Sequence, residues 1–276
     1  VAAVAAVGAK PVLIDIEEDF YTIDPSLIKK SITNKTKAII AVHLYGQPCD
    51  IKIIKNICNE NNLKLIEDVS QAHGSTYLNN KLGSFGDIAC FSCYPTKNLG
   101  AFGDAGIIVT DSPDLGEKCR IIRQYGWKKE VSSEIFGRNS RLDEIQAAIL
   151  NVKLKYIDNH NEERNTIANY YNDYLSKLPI KIPRVRQNST HVYHLYVIQV
   201  EKRDLLIKYL NNHGIYPGIH YPYPVHKQKT YKKIARFNDL RITDYISNKI
   251  LSLPIYPELP IEKVISICHL IKDFYK

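Results

Sequence analysis

Short apolar runs alternate with helical patterns in the first 110 residues of the chain. The apolar runs predict strands at 10–16, 37–42, 63–67, 88–92 and 107–110, and the intervening patterns predict helices at 24–31 and 51–61. Strands that are apolar along their whole length are typical of a sheet covered on both faces, and strands alternating with helices are typical of parallel pairing. The pattern therefore predicts an α/β fold with a mostly parallel sheet between helices.

The pattern changes near Ser140. Residues 141–178 are polar and helical in period, and predict one long helix or two helices broken near Asp158. The segment 179–183 is then expected to be a linker, followed by a strand at 194–200 and helices at 204–213 and 262–275. We therefore predict a large α/β domain over 1–155, and over 156–276 a linking helix with a smaller C-terminal α+β domain.

The first nine residues resemble the second half of a helix, with strong helix formers, a stop at Gly8 and no N-cap residue in front. No basic region precedes them, so they do not form a signal peptide. The chain also contains no Met. We therefore expect that it is truncated at its front.

Composition narrows the possible partners. The chain is 45% hydrophobic and 24% charged, which is typical of a globular protein, and no apolar run is long enough to cross a membrane. The net charge of +8 invites a nucleic-acid hypothesis, but the Lys and Arg residues are dispersed and match no nucleic-acid-binding motif. Solvated surface lysines, or a small anionic substrate, explain the charge equally well. The six Cys residues favour a reducing cytoplasm.

The strand at 63–67 leads into the acid Asp68, small residues and then His73. Ligands of open α/β sheets bind at the carboxyl ends of strands, so this segment is a candidate pocket wall. Asp68 as a simple cap of the following turn is the alternative. A metal site of Asp68 and His73 is disfavoured, because the spacing supplies no third ligand.

A second candidate follows the strand at 88–92, where a turn begun by Pro95 presents Lys97 before glycines at 100, 103 and 106. This glycine spacing matches neither the dinucleotide fingerprint nor the Walker loop. A lysine between a strand end and a glycine-rich return is a candidate amine nucleophile, although an ordinary surface lysine is the alternative. Cys90 and Cys93 form a single C-x-x-C, which lacks the second pair of a zinc site.

These segments together resemble the DegT/DnrJ/EryC1/StrS family. The resemblance rests on EDVSQAHG at 67–74, FSCYPTKNLGAFGDAG at 91–106 and GRNSRLDEIQAA at 137–148, with further likeness at 45–48, 218–226 and 253–257. It covers nearly the whole chain in the expected order. It implies the aspartate-aminotransferase-like fold (PLP fold type I), pyridoxal 5′-phosphate (PLP) as cofactor, and amino transfer to nucleotide-linked keto-sugars.

The resemblance also implies roles for particular residues. Lys97 is similar to the Schiff-base lysine, and Asp68 to the carboxylate that keeps the pyridinium nitrogen protonated. The other implied cofactor-binding residues are Gln71 beside the ring, His73 in the same wall, Ser92 on the phosphate, and Asn139 reaching the phosphate of the neighbouring subunit in a homodimer. Some relatives carry His in place of Lys97 and deoxygenate sugars, so Lys97 implies amino transfer.

The Pro- and Tyr-rich loop at 218–226 is the candidate substrate wall, and a purely structural turn is the alternative. The resemblance implies substrate contacts by His220, Tyr221 and His226. The segments 139–150 and 218–226 most resemble enzymes that aminate the 3-keto position of a dTDP-linked 6-deoxyhexose, with glutamate as the expected donor. A catalytically inactive binding or regulatory relative is the competing hypothesis.

One feature departs from the family pattern. Relatives carry, before the position of Val1, a Gly-Thr or Gly-Ser turn that binds the cofactor phosphate at a helix N-terminus, together with a ring-stacking aromatic residue. Neither occurs in this sequence. For the chain as written, this puts cofactor affinity in doubt.

Overall fold

The computed structural model describes all residues from 1 to 276, which form two compact units. The sheet unit comprises residues 37–161 and 188–192, and the terminal unit comprises 1–36, 162–187 and 193–276. The division between domains at 155/156 stays a prediction.

The helices, numbered in chain order, are α1 Ala2–Ala6, α2 Pro25–Ile28, α3 Ile51–Glu60, α4 Pro113–Ile122, α5 Glu144–Leu154, α6 Ile157–Leu175, α7 Arg203–Asn212, α8 Lys229–Ile234, α9 Arg241–Ser247 and α10 Ile261–Phe274. The strands are β1 Ala38–Val42, β2 Lys64–Asp68, β3 Thr76–Tyr77, β4 Asn80–Lys81, β5 Ile88–Ser92, β6 Gly106–Val109, β7 Tyr196–Gln199 and β8 Ile250–Leu253. No helix is long and apolar enough to span a membrane.

The sheet unit is built on four strands in the order β1-β2-β5-β6. The pairs β1–β2 and β2–β5 are parallel, and β6 runs antiparallel to β5. In this register Asp68 lies beside Cys90, so the carboxyl end of β2 is one strand away from the segment that follows β5. The predicted α/β fold with a mostly parallel sheet is confirmed, and this edge of the sheet collects the candidate residues.

Local sequence signals explain where the helices of the sheet unit begin. The Asp50 side chain accepts the Ile53 N–H at the start of α3, and Ser112 accepts the Leu115 N–H at the start of α4. Pro113 at the first position of α4 adds the usual preference for proline there. Helix α3 packs Ile51 and Ile54, both fully buried, against the sheet.

The terminal unit has its own core. The antiparallel pair β7–β8 lies at its centre. Buried side chains of α6, α7 and α10 pack around it, including Tyr171, Leu206 and Ile267. The two aromatic rings of Tyr171 and Tyr196 lie 4.7 Å apart between their centroids.

The predicted strand at 10–16 is wrong as an element. The backbone there makes only isolated bridges, Val12 with Arg236 and Ile16 with Ile23. An apolar run becomes a strand only where a neighbour pairs along its length. Of the two alternatives for residues 141–178, the structure has two helices, and the break at residues 155–156 is close to the predicted position near Asp158.

Candidate active site

Asp68 ends β2 at the carboxyl edge of the sheet. Its Oδ1 accepts the Ser70 N–H at 3.1 Å, and its main-chain carbonyl accepts the His43 N–H at 3.0 Å. The next residue, Val69, donates its N–H to the Cys90 carbonyl at 2.9 Å, which extends the ladder with β5 by one bond. The carboxylate of Asp68 is therefore partly buried and held in a fixed position.

Lys97 lies in the loop after β5, where its N–H donates to the Tyr94 carbonyl at 2.9 Å. The side chain is partly buried, and its amine makes no hydrogen bond or ion pair. Burial lowers the pKa of Lys97, while the negative charge of Asp68 acts in the opposite direction. A lysine with a lowered pKa has a larger fraction of neutral amine, which is the nucleophilic form.

His73 lies in the wall beside Lys97. Its ring is almost fully buried, 5.5 Å from the Phe91 ring between centroids, and neither ring nitrogen has a hydrogen-bond partner. Burial and the positive charge of Lys97 lower the pKa of His73 to about 4, against a smaller opposing effect of the Ser92 main chain. His73 is therefore neutral at physiological pH, with two polar atoms available to a bound group.

Gln71 supports a neighbouring turn. Its side-chain Oε1 accepts the Tyr45 N–H at 2.7 Å. Tyr45 has a φ of 61°, which is uncommon outside glycine, and Gly46 follows with a φ of 102°. Gln71 thus joins the segment after β2 to the turn after β1.

An open cleft of about 1110 Å³ lies along β5, β6 and α4. Ser92 and Lys97 line it, and so do Arg120, Arg123 and Arg141. Asp104 is the one carboxylate in its lining, so the cleft is basic. Asp68, Gln71 and His73 lie outside this lining.

Asn139 lies beside the cleft on an exposed segment. Its Oδ1 accepts the Arg141 Nε–H at 3.0 Å, and its backbone bridges to Gln124. The structure therefore presents Asn139 at the surface of the sheet unit.

The three predicted substrate residues belong to the terminal unit. His220 Nδ1 lies 2.8 Å from Ser252 Oγ, and Tyr221 is 53% exposed. His226 is buried, and its Nε2 lies 2.9 Å from Asp244 Oδ1. Asp244 also pairs with Lys227. The ring of His226 is thus held by its own unit, and its substrate role stays a prediction.

A buried pair next to Asp68 was not predicted from the sequence. Glu67 accepts the N–H groups of Gly83, Phe85 and Gly86 at 2.7–2.9 Å, and lies 3.2 Å from His43 Nε2. The Cys49 N–H donates to His43 Nδ1, so the ring proton is on Nε2 and is donated to Glu67. Burial raises the pKa of Glu67, but the hydrogen bonds from His43 and the main chain outweigh it, and the net pKa is lowered. A His directly after an apolar strand was the available signal.

The side chains that hold the Lys97 loop were not predicted from the sequence either. The Phe102 N–H donates to Gln146 Oε1 at 2.8 Å, and Lys153 Nζ donates to the Gly100 carbonyl at 2.6 Å. Both side chains come from α5. No spacing in the sequence indicates these contacts.

No group of three or more His, Cys, Asp or Glu side chains is arranged to hold a metal ion. All six cysteines are free thiols.

Solved aminotransferase structures share this fold, which places the chain in the class of PLP-dependent enzymes of fold type I. The sequence profile of the DegT/DnrJ/EryC1/StrS aminotransferase family matches residues 1–272, and the chain belongs to this family.

Relatives of known sequence and structure agree. The chain is 43% identical to dTDP-3-amino-3,6-dideoxy-alpha-D-galactopyranose transaminase of Aneurinibacillus thermoaerophilus, over 95% of this chain and 72% of the relative. It is 40% identical to a protein named pleiotropic regulatory protein from Geobacillus stearothermophilus, over 99% of this chain and 74% of the relative. The crystal structure of S. venezuelae DesV in complex with a ketimine intermediate superposes with a TM-score of 0.96 at 38% identity, over 100% of this chain and 75% of that chain. The chain is therefore an aminotransferase, and its cofactor is PLP.

The residues present fit this cofactor. Lys97 offers an amine without a partner, and Asp68 offers a carboxylate at a strand end, where its charge acts on Lys97. His73 adds two buried nitrogens that lack a partner within the protein. Polar atoms buried without partners are rare in folded proteins, so a polar ligand is expected beside them.

Proposed function

We propose that the protein transfers an amino group from an amino acid to a keto-sugar nucleotide. The observation that carries this proposal is the unpaired, partly buried amine of Lys97 within the electrostatic range of Asp68. The surrounding chain matches sugar transaminases over most of its length.

The overall exchange balances without a redox partner. The donor loses its amino group and gains a carbonyl, while the keto-sugar loses its carbonyl oxygen and gains an amino group. PLP, when bound, carries the amino group between the two half-reactions and withdraws electrons from the carbon that loses its proton.

The residues of the chain have separate roles in this proposal. Lys97 would hold the cofactor through its amine and would carry the proton at the reacting carbon as a general base and acid. Asp68 pairs with the pyridinium nitrogen and keeps its proton in place. Gln71 and His73 contact the ring, and Ser92 and the neighbouring subunit's Asn139 bind the phosphate.

Charge supports an anionic substrate. Lys97, Arg120, Arg123 and Arg141 face the same cleft, against the single carboxylate of Asp104. A cleft of one sign of charge raises the local concentration of oppositely charged ligands. A sugar linked to a nucleoside diphosphate has the required negative charge.

The finer assignment is a dTDP-linked 3-keto-6-deoxyhexose with glutamate as donor. The relative from A. thermoaerophilus is named for a dTDP-3-amino-3,6-dideoxy sugar, which supports the 3-position. In this proposal His220, Tyr221 and His226 contact the sugar nucleotide, and the enzyme is a homodimer. It acts in the cytoplasm, where its six thiols stay reduced.

The test is the amino transfer activity of Lys97→Ala. A dTDP-3-amino-3,6-dideoxyhexose and 2-oxoglutarate are supplied, and glutamate formation is measured. We expect the activity to fall by at least about a thousandfold, because both the covalent attachment and the proton carrier are lost. Lys52→Ala, an exposed lysine of α3, is the matched control and should leave activity unchanged. Full activity in Lys97→Ala would refute the mechanism.

A binding or regulatory role is the second candidate, and the name of the G. stearothermophilus relative favours it. It predicts that the unaltered protein captures PLP but transfers no amino group from any donor tested. The sugar transaminases that match most of the chain support catalysis instead.

A further inference from the structure

Two amide side chains join the Lys97 loop to the segment after β2. Asn98 follows Lys97, and its Nδ2 donates to Asn161 Oδ1 and to the Val192 carbonyl, both at 2.9 Å. Asn161, in α6, donates its own Nδ2 to the His73 carbonyl at 2.9 Å. Both amides are 7% exposed. Together they form a chain of hydrogen bonds from the neighbour of Lys97 to the backbone of His73.

These amide hydrogen bonds lie beyond the last hydrogen bond of the sheet. The last main-chain bond between the β2 and β5 segments is from the Val69 N–H to the Cys90 carbonyl. Beyond it, His73 and Lys97 lie on two separate loops. The amide pair is thus a connection between the two loops that carry the candidate cofactor residues.

The close fit at Gly74 shows that Asn161 is tightly seated. Gly74 has a φ of +81°, and a Cβ at this position would lie 2.8 Å from Asn161 Nδ2. A side chain there would both strain the backbone and displace the amide. The turn after His73 is therefore shaped to admit Asn161.

Exposure along the Lys97 loop changes at the same point. Residues 94–96 are exposed, Lys97 is partly buried, and residues 98–101 are buried. Leu99 packs into a cluster with Cys93, Leu150 and Ile157. Asn98 is therefore the first fixed residue after the exposed turn, and its anchoring determines the direction from which the Lys97 side chain starts.

We propose that Asn161 is a positioning residue for Lys97, acting through Asn98 and through the His73 carbonyl. The inference rests on the proposed function for its catalytic meaning. Asn161 does not touch the cofactor in this proposal. It holds the two loops at the spacing at which the Lys97 amine, Asp68 and His73 act on one bound group.

The physical consequence concerns geometry more than stability. Loss of the Asn161 amide removes one of the hydrogen bonds that hold Asn98 and leaves the buried His73 carbonyl without this donor. The Lys97 loop then samples other directions, and the amine spends more time in solvent. Misplacement of a reacting group by about 1 Å can cost up to a hundredfold in rate.

The test compares Asn161→Ala with Asn172→Ala. Asn172 lies on the same helix, is partly buried and accepts the Tyr196 hydroxyl at 2.7 Å, so Asn172→Ala removes one hydrogen-bonded amide away from the Lys97 loop. The first readout is the rate at which Lys97 is captured by pyridoxal 5′-phosphate and fixed by borohydride, with the site read by mass spectrometry. We expect a loss of at least about tenfold in Asn161→Ala and none in Asn172→Ala.

The second readout needs no cofactor. Lys97 in the apoprotein is acetylated by acetic anhydride at a series of pH values, with Lys52 as internal reference. Since burial lowers the pKa of Lys97, greater solvent exposure in Asn161→Ala should move its labelling profile toward higher pH. A purely structural amide would lower thermal stability without moving this profile.

The outcomes are distinct. Unchanged capture and an unchanged labelling profile in folded Asn161→Ala would overturn the proposal, and so would equal changes in Asn172→Ala. If Asn161→Ala does not fold, Asn161→Ser, which keeps one hydrogen-bonding group, is measured in its place. If the unaltered protein captures no pyridoxal phosphate at Lys97, the proposed function fails, while the acetylation profiles still decide the role of Asn161.

Discussion

Two adjacent carboxylates at the end of β2 have opposite surroundings. Glu67 is fully buried and receives bonds from His43 and three main-chain N–H groups. Asp68 is partly buried and accepts one main-chain N–H, from Ser70. The carboxylate oxygens of Glu67 thus bind the backbone at 83–86, while the carboxylate of Asp68 can still accept hydrogen bonds from a ligand. The Glu-Asp pair is visible in the sequence, but this division of roles is not.

Glu67→Gln should destabilise the fold by about 2–4 kcal/mol. The amide replaces one acceptor oxygen with a donor that faces the main-chain N–H groups. Urea unfolding at pH 7 measures the effect, with Glu117→Gln, an exposed residue of α4, as the control. The control should stay within about 0.5 kcal/mol.

The same substitution should flatten the dependence of stability on acid pH. The pKa of Glu67 in the folded state is lowered, so its stabilising contribution is fully present above its ordinary pKa of about 4.3. That contribution is lost as the pH falls through the lowered folded-state value. Below this range the difference between Glu67→Gln and the unaltered protein should shrink, and a constant difference down to acid pH would contradict the assignment.

Candidate site residues could be predicted from the sequence where they directly follow a predicted strand. Asp68 and Lys97 follow apolar strands, and the parallel register brings these ends together. The contact between Asn98 and Asn161 could not be predicted in this way, because the two residues are 63 positions apart and meet only through the tertiary packing of α6. The catalytic and cofactor roles of Asp68, His73 and Lys97 stay predictions, and so do the roles of Gln71, Ser92, Asn139, His220, Tyr221 and His226.

At the scale of elements, the sequence pattern predicted β1, β2, β5 and β6 to within two residues, because short apolar runs bounded by turn residues are typical of buried strands. It missed α4, although Ser112 and Pro113 form an N-terminal helix signal. The helix has no buried residue, so its apolar face gave a weak pattern. The apolar run at 10–16 was wrongly predicted to be a strand, because no neighbouring strand pairs along its length.

Helix α5 supports the Lys97 loop through Leu150, which packs with Cys93, Leu99 and Ala101. Leu150→Ala should destabilise the protein by about 2–5 kcal/mol, because it leaves a cavity under the loop. Leu154→Ala, on the same helix and 52% exposed, is the matched control. Thermal or urea unfolding compares them, and equal losses in the two variants would show that the cluster does not support the loop.

At the scale of the whole molecule, the segment after α4 exposes large apolar side chains. Val131 and Ile135 are 81% and 44% exposed, and Phe136 is fully exposed. Asn139 lies three residues further along. Apolar side chains in such a cluster are costly in water and favour an interface, which supports the proposed homodimer with shared sites.

Subunit mixing tests the shared site. Lys97→Ala and Asn139→Ala should each lose most of the activity. In the proposed homodimer, each site combines Lys97 of one subunit with Asn139 of the other. A mixed dimer therefore has one site in which both residues are unaltered and one in which both are replaced. Random mixing of equal amounts should therefore restore about a quarter of the sites. No recovery after verified subunit exchange would show that Asn139 acts within its own subunit, or not at the site.

A borohydride-trapping experiment on the unaltered protein tests most directly whether Lys97 binds the cofactor. The protein is mixed with pyridoxal 5′-phosphate, its visible absorption is recorded, and the adduct is reduced, digested and mapped by mass spectrometry. Lys97→Ala serves as the control. We expect a visible band that borohydride removes and a single phosphopyridoxyl group on Lys97, absent from the control. A label spread over exposed lysines, or an equal signal in Lys97→Ala, would contradict the assignment of Lys97 as the residue that binds the cofactor.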